Sequence, residues 1–189
     1  MNLLREYIRE LLTESAIDPK IMSMIEKATQ FGLFVFVRPN AVTIESPAGN
    51  VYAEVNFDSY PDYGPCLDGA YVTGANARDG FGPLAYDVAM EVTGGLMSDR
   101  TEVSNLAANV WDYYLNNRPD VRSKQLDIMP DYDTPQLTPK KPDDDCDQIE
   151  PYGRLRDEWH TSSLSKLFHK KGFATPVMDE LRRRGLLEE

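Results

Sequence analysis

The chain has 189 residues and a net charge of −11. This length holds one domain with a core of its own plus an appendage, and the charge argues against a general binder of nucleic acid, which has phosphates to neutralise. A hydrophobic content of 41% excludes a disordered chain. No apolar run reaches membrane-spanning length, and charges break up the N-terminus where a secretory signal needs an apolar stretch. Two distant cysteines, Cys66 and Cys146, suggest neither a disulfide framework nor a metal knuckle. The expected setting is soluble, inside a cell or inside a particle.

Residues 2–14 pattern as a short amphipathic helix, with Leu3, Leu4, Tyr7, Ile8, Leu11 and Leu12 in one stripe and Arg5, Glu6, Arg9 and Glu10 in the other. Asp18-Pro19 opens a second helix, because Asp caps well and Pro suits the first helical position; Gly32 stops it. From residue 33 the pattern turns to strands: 33–37, 41–45 and 51–57, joined by short turns and therefore read as an antiparallel meander. A Tyr/Pro-rich loop over 58–65 leads to a fourth strand over 66–73, with Gly69 as a candidate bulge.

A glycine junction follows, Ala75-Asn76-Ala77-Arg78-Asp79-Gly80-Phe81-Gly82, and then a helix over 81–92. A strand running into a glycine turn and a helix start gathers free N–H groups and the positive end of a helix dipole, which suits a phosphate. Leu96-Met97 reads as a short strand and 103–116 as a further helix.

Residues 129–153 hold five prolines and the run Asp143-Asp144-Asp145-Cys146-Asp147, which reads as a long wrapping loop with solvated acids; it lacks the glycine and the terminal Glu of a calcium loop. The C-terminal part, 154–189, reads as a helical extension with helices over 162–170 and from Thr175-Pro176 to about Arg184. Asp87 and Glu91, one turn apart on one helix, read as solvated, and His160 and His169 as surface residues. No Ser/His/Asp ordering, metal spacing or nucleotide P-loop appears.

The order helix, three antiparallel strands, fourth strand, glycine turn and helix, short strand, helix over residues 15–117 resembles the GNAT superfamily of N-acetyltransferases. The resemblance implies an α/β (α+β) fold with a central mixed, mostly antiparallel sheet flanked by helices. It places the domain at 15–128, after the N-terminal helix of 1–14. It also implies acetyl-CoA as cofactor, held between the fourth and fifth strands with its pyrophosphate on the helix start. The family pattern Gln/Arg-x-x-Gly-x-Gly/Ala falls on Ala77 to Gly82, so Gly80, Phe81 and Gly82, assisted by Arg78, are the implied cofactor-binding residues. Ala77 departs from the Gln/Arg, and Pro83 removes one donor. The family's Asn-x-x-Ala-x-x-x-Tyr, which carries the proton donor, falls on Ser104, Ala107 and Trp111, so the acid passes to Tyr113 or Tyr114. Glu54 on the third strand is the candidate general base toward an amine. The acceptor would be a small-molecule or protein amine, with no metal, no nucleic acid and no membrane.

A second resemblance joins Gly82 to Glu91, Gly95 to Ser104, Val110 to Tyr114, Asn117 to Val121, Gln125 to Asp127, Leu137 to Pro139 and Asp144 to Gln148 to GNAT-like proteins of tailed bacteriophages. Residues 2–14 are also similar to capsid-targeting peptides, which join the prohead scaffold and are cut by the prohead protease after a triplet such as Leu12-Thr13-Glu14. These imply the host cytoplasm or the virion interior, and an alternative role as a non-catalytic internal virion protein that uses the fold as a scaffold.

Overall fold

The structure, a computed structural model, describes residues 17–59, 69–100, 102–127, 136–146 and 160–189. The amphipathic helix expected at 2–14 lies outside them. The first described helix, α1 (Pro19–Phe31), starts as the sequence dictates: the Asp18 carboxylate accepts the N–H groups of Lys20 (2.9 Å) and Ile21 (3.4 Å). Gly32, at φ 62°, ends it in the left-handed conformation that side chains disfavour. Ile21, Ile25 and Ala28, spaced by four and three, bury one face.

One mixed sheet forms the body. β1 (Phe34–Arg38), β2 (Ala41–Glu45), β3 (Val51–Asp58) and β4 (Ala70–Ala77) run antiparallel in succession. The meander is therefore as the sequence predicts. β3 alternates as predicted too, with Ala53, Val55 and Phe57 in the core and Glu54 and Asn56 on the other face. β4 sits four residues later than the sequence pattern suggests. Ala75-Asn76-Ala77 has little strand propensity, but pairing with β3 from Asp58↔Tyr71 to Ala53↔Ala77 recruits it. The β3–β4 ladder is irregular between Phe57↔Val72 and Asn56↔Gly74, so Thr73, not Gly69, is the extra residue. Gly69 answers a different need. A Cβ there would stand 2.6 Å from Leu167 Cδ1 and 2.7 Å from the Gly95 carbonyl oxygen.

After β4 come α2 (Gly82–Thr93), the two-residue β5 (Leu96–Met97) and α3 (Asn105–Asn117). Ser104 caps α3 by accepting the Ala107 N–H at 3.2 Å. β5 is parallel to β4 but pairs with it only at Ala70↔Leu96 and Tyr71↔Met97. Beyond that point β4 continues to Ala77 while the chain leaves the sheet, so the two strands part.

The C-terminal region differs from the helical extension the sequence suggests. The stretch expected as a helix over 162–170 is a single 3₁₀ turn followed by β7 (Lys166–Lys170). β7 inserts between β5 and β6 (Val121–Gln125), and β8 (Leu187–Glu188) adds in parallel beside β1. The final sheet order is β6-β7-β5-β4-β3-β2-β1-β8. Leu164, Leu167 and Phe168 fit a helical spacing, but Leu167 and Phe168 equally fit a strand buried on both sides, with Leu164 in the turn before it. Phe168 joins the main core, whereas Leu167 joins a second cluster with Met97, Leu126 and Cys146. α4 (Pro176–Arg183) is helical as predicted and packs Val177, Met178 and Leu181 inward.

Two acids of the run are not solvated as expected. Asp144 and Asp145 are buried, and Asp145 forms a parallel bridge with Asp127. Asp127 in turn accepts the Leu137 N–H (3.0 Å) and the Thr138 N–H (2.6 Å). These three carboxylates lie within 4.8 Å of one another. Cys146 is disulfide-bonded, which corrects the reading that nothing indicates a disulfide; the chain holds one other cysteine, Cys66. Among the described residues, no helix is long and apolar enough to cross a membrane.

Candidate functional site

The parting of β4 from β5 leaves six residues of β4, Val72 to Ala77, without a strand on that side. Two adjoining cavities of about 230 and 250 Å³ follow this free edge. Ala75, Tyr86, Ser104 and Ala107 line both. Val72, Asp99, Glu102 and Trp111 complete the first; Glu54, Asn76, Gly82 and Val110 help close the second. Strand alternation puts Glu54 and Asn76, a cross-strand pair, on one face of the sheet and Ala75 with Val55 on the other. The cleft thus reaches both faces at the edge of β4.

The glycine turn closes one end. Asp79 (φ 55°) and Gly80 (φ 81°) are both left-handed, which swings the chain from β4 into α2. The Arg78 N–H is tied to the Tyr52 carbonyl at 2.8 Å. Phe81 holds the turn down: it is fully buried and meets Tyr52 and Phe31 edge-on, at 5.9 and 6.4 Å between ring centres. Two cations stand here. Lys27 Nζ donates to the Asp79 carbonyl at 2.6 Å and lies 5.1 Å from the Phe81 ring centre, and the Arg78 guanidinium lies 4.4 Å from that of Tyr52. The first turn of α2 offers the N–H groups of Gly82 and Leu84; Pro83 offers none. Gly82 is also needed for packing, since a Cβ there would stand 3.3 Å from that of Ala77.

Of the residues singled out from sequence, Glu54 and Gly82 line the cleft, Arg78 and Gly80 stand exposed at its glycine end, and Phe81 supports the turn from below. Tyr113 and Tyr114 do not line it. Tyr113 faces Lys20, whose Nζ lies 4.7 Å from its ring centre. The Tyr114 hydroxyl donates to Asp87 at 2.6 Å, and burial, followed by the charge of Asp87, pushes its pKa well up. Trp111 is buried and stacks on Phe168 at 5.6 Å. Sequence reasoning passed over Tyr86, Asp99, Glu102 and Ser104 as site residues. Tyr86 was legible only as one buried position of an apolar helix face; the others sit where the chain crosses the open end of the sheet, and only the topology brings them to β4.

Asp87 and Glu91, expected in solvent, are both buried. Asp87 forms a two-oxygen, two-nitrogen pair with Arg118 (2.9 and 2.6 Å) and accepts from Lys170 at 2.6 Å. Asp120 accepts from the same two cations, from Arg118 at 2.8 and 2.7 Å and from Lys170 at 2.8 Å. These two carboxylates and two cations, with Asp18 a further 3.8 Å from Arg118 Nε, join α2, the 118–120 turn and β7. Burial acts to raise the pKa of both acids, but Lys170 and Arg118 outweigh it, holding Asp87 below the usual range and Asp120 at about 2. Glu91 accepts the N–H groups of Val177 (3.1 Å) and Met178 (2.9 Å), so a carboxylate from α2 caps α4, which has no cap of its own. Burial raises its pKa to about 7 against the opposing pull of those N–H groups and Lys170.

The fold is that of a mixed α/β protein with a cleft at a split in its own sheet. Comparison with family models, curated proteins and solved structures returns no match.

Proposed function

We propose that the chain is an acyl-CoA-dependent N-acyltransferase of GNAT type. The observation that carries this reading is the split of β4 from the parallel β5 beside a glycine turn that opens α2. The sheet order, with β7 inserted between β5 and β6, supports the same architecture. The glycine end fits a pyrophosphate: it presents the N–H groups of Gly82 and Leu84 at a helix start, with Arg78 and Lys27 beside them. Acyl-CoA supplies an activated thioester when bound. Glu54, in the second cavity, is placed to take a proton from an acceptor amine, directly or through one water. The runs over residues 82–148 that resemble tailed-phage proteins support a phage source.

Acetyl-CoA titrated into the protein is expected to give saturable heat in calorimetry. At a hundredfold excess over Kd it would stabilise the chain by about 2.7 kcal/mol, a rise in Tm of roughly 5–10 °C for this size. Arg78→Glu is expected to weaken it several-fold. The absence of both heat and thermal shift would remove the coenzyme site.

A specific observation favours a second reading, a virion protein that uses the fold as a scaffold. Trp111 is locked in the core where the family keeps its proton donor, and Tyr114 is committed to Asp87. Mass spectrometry of purified particles tests this: abundant packaged protein supports it, and absence from the particle removes it.

A further inference from the structure

Two buried lysines share one face of β7, and their surroundings differ. Lys166 and Lys170 stand at the two ends of the strand and are 8% and 3% exposed. Lys170 meets two carboxylates, Asp87 and Asp120, at 2.6 and 2.8 Å. Among the described residues, Lys166 meets none. Its Nζ donates to Gln125 Oε1 across the β6–β7 ladder and to the His160 carbonyl at 2.7 Å, and both acceptors are neutral. Asp112 of α3 reaches the turn before β7 but accepts from Ser163 Oγ at 2.6 Å.

The Gln125 amide is held in one orientation. Its Nε2 donates to the Leu126 carbonyl at 2.7 Å and to the Ser165 carbonyl and hydroxyl at 3.3 and 3.2 Å, which leaves Oε1 for the lysine. Two acceptors and no anion suit a neutral amine, which has two N–H donors and a lone pair. An ammonium has three donors and a charge that burial penalises. Burial lowers the Lys166 pKa accordingly. The amine is not sealed in, because Gln125 is only half-buried and His160 is exposed.

We propose that Lys166 is a covalent site for small carbonyl compounds, its Nζ held as a free amine by Gln125 and the His160 carbonyl and forming an imine with an aldehyde. The lone pair attacks the carbonyl carbon. The two amine protons and the carbonyl oxygen leave as water, and a C=N bond remains, so nothing is oxidised or reduced. Desolvated lysines suit this chemistry, because an exposed ammonium has no lone pair to offer near neutral pH. Lys166 lines neither cavity of the cleft, so this chemistry is independent of the acyltransferase reading.

The probe is propanal at a low ratio to the full chain, with cyanoborohydride to fix each imine as a secondary amine. Peptide mass spectrometry then reads which lysines are alkylated. At about pH 6.5 Lys166 is expected to carry about threefold more label than any of the exposed Lys20, Lys140 and Lys141, since exposed lysines as a class are protonated there. At about pH 9.5 the order is expected to reverse, because access rather than protonation then decides. Gln125→Glu sets an anion against the amine and is expected to remove the preference at the lower pH. It also gives up the Nε2 bonds, so its Tm is measured alongside; should it not fold, the pH profile of the native chain decides alone. An unlabelled Lys166 at the lower pH, an equal preference at both pH values, or a preference retained in folded Gln125→Glu would each overturn the proposal.

Discussion

Arg118→Ala is expected to cost about 3–5 kcal/mol, the usual penalty for breaking a buried ion pair from one side. Arg118 gives four of its hydrogen bonds to two carboxylates, and its side chain is wholly inaccessible to solvent. Without it, Asp87 and Asp120 share Lys170 alone, and one buried negative charge has no counterpart. The guanidinium also lies 5.2 Å from the ring centre of Tyr114, so packing is lost with the charge. For a chain of this size the penalty lowers Tm by about 6–20 °C. The double change Asp87→Leu with Lys170→Met removes one charge of each sign and leaves the Arg118–Asp120 pair whole. It is expected to cost less than Arg118→Ala alone, because removing a matched pair avoids stranding a charge. Urea unfolding of the single and double variants measures both. Equal losses would show that packing, not charge balance, sets the stability here.

The second large effect is a dependence on pH that runs against the usual direction for a carboxylate. Burial raises the Glu91 pKa from the ordinary 4.5 to about 7, so the native state holds its proton where the unfolded chain has released it. Stability from this group is fully present below about 4.5 and is lost as pH rises through 7. Between pH 5.5 and 8.5 the loss amounts to about 2 kcal/mol. Asp87 and Asp120 act in the opposite sense at lower pH. Their folded pKa values are depressed, so their contribution is present above 3.8 and falls away as the solution is acidified toward 2. Urea unfolding at pH 5.5 and 8.5 should therefore show a falling stability in the native sequence and a nearly flat one in Glu91→Gln. A native sequence whose stability is unchanged over that interval would mean that the α4 cap keeps Glu91 ionised throughout.

Both effects come from residues that the sequence placed in solvent. Asp87 and Glu91 lie one turn apart on α2, and a carboxylate pair at that spacing reads as a polar face. Nothing local announces that Arg118, Lys170 and the first turn of α4 will be brought against it, since those partners lie 31, 83 and 86 residues away or more. The same holds for the cleft. Glu54 and the glycine turn were legible because each sits inside a regular element with a local signature. Tyr86, Asp99 and Glu102 came to line one cleft only when β5 ended after two residues and left the edge of β4 open.

The sequence by itself determined α1, with its Asp18 cap and its Gly32 stop, and the β1–β3 meander with its alternating burial. It also determined the glycine turn into α2 and the extents of α3 and α4 to within a few residues. In each case short-range physics suffices: a cap satisfies the free N–H groups, a glycine accepts a positive φ, and the apolar period matches a helix or a strand. The tertiary structure decided the rest. It turned Lys166–Lys170 from an apparent helix into the strand between β5 and β6, drew Ala75 to Ala77 into β4, and buried Asp144 and Asp145 against Asp127. It also gave Cys146 a disulfide. These outcomes depend on pairing and burial between residues far apart in the chain, and such interactions outweigh local preference by amounts that no single segment encodes.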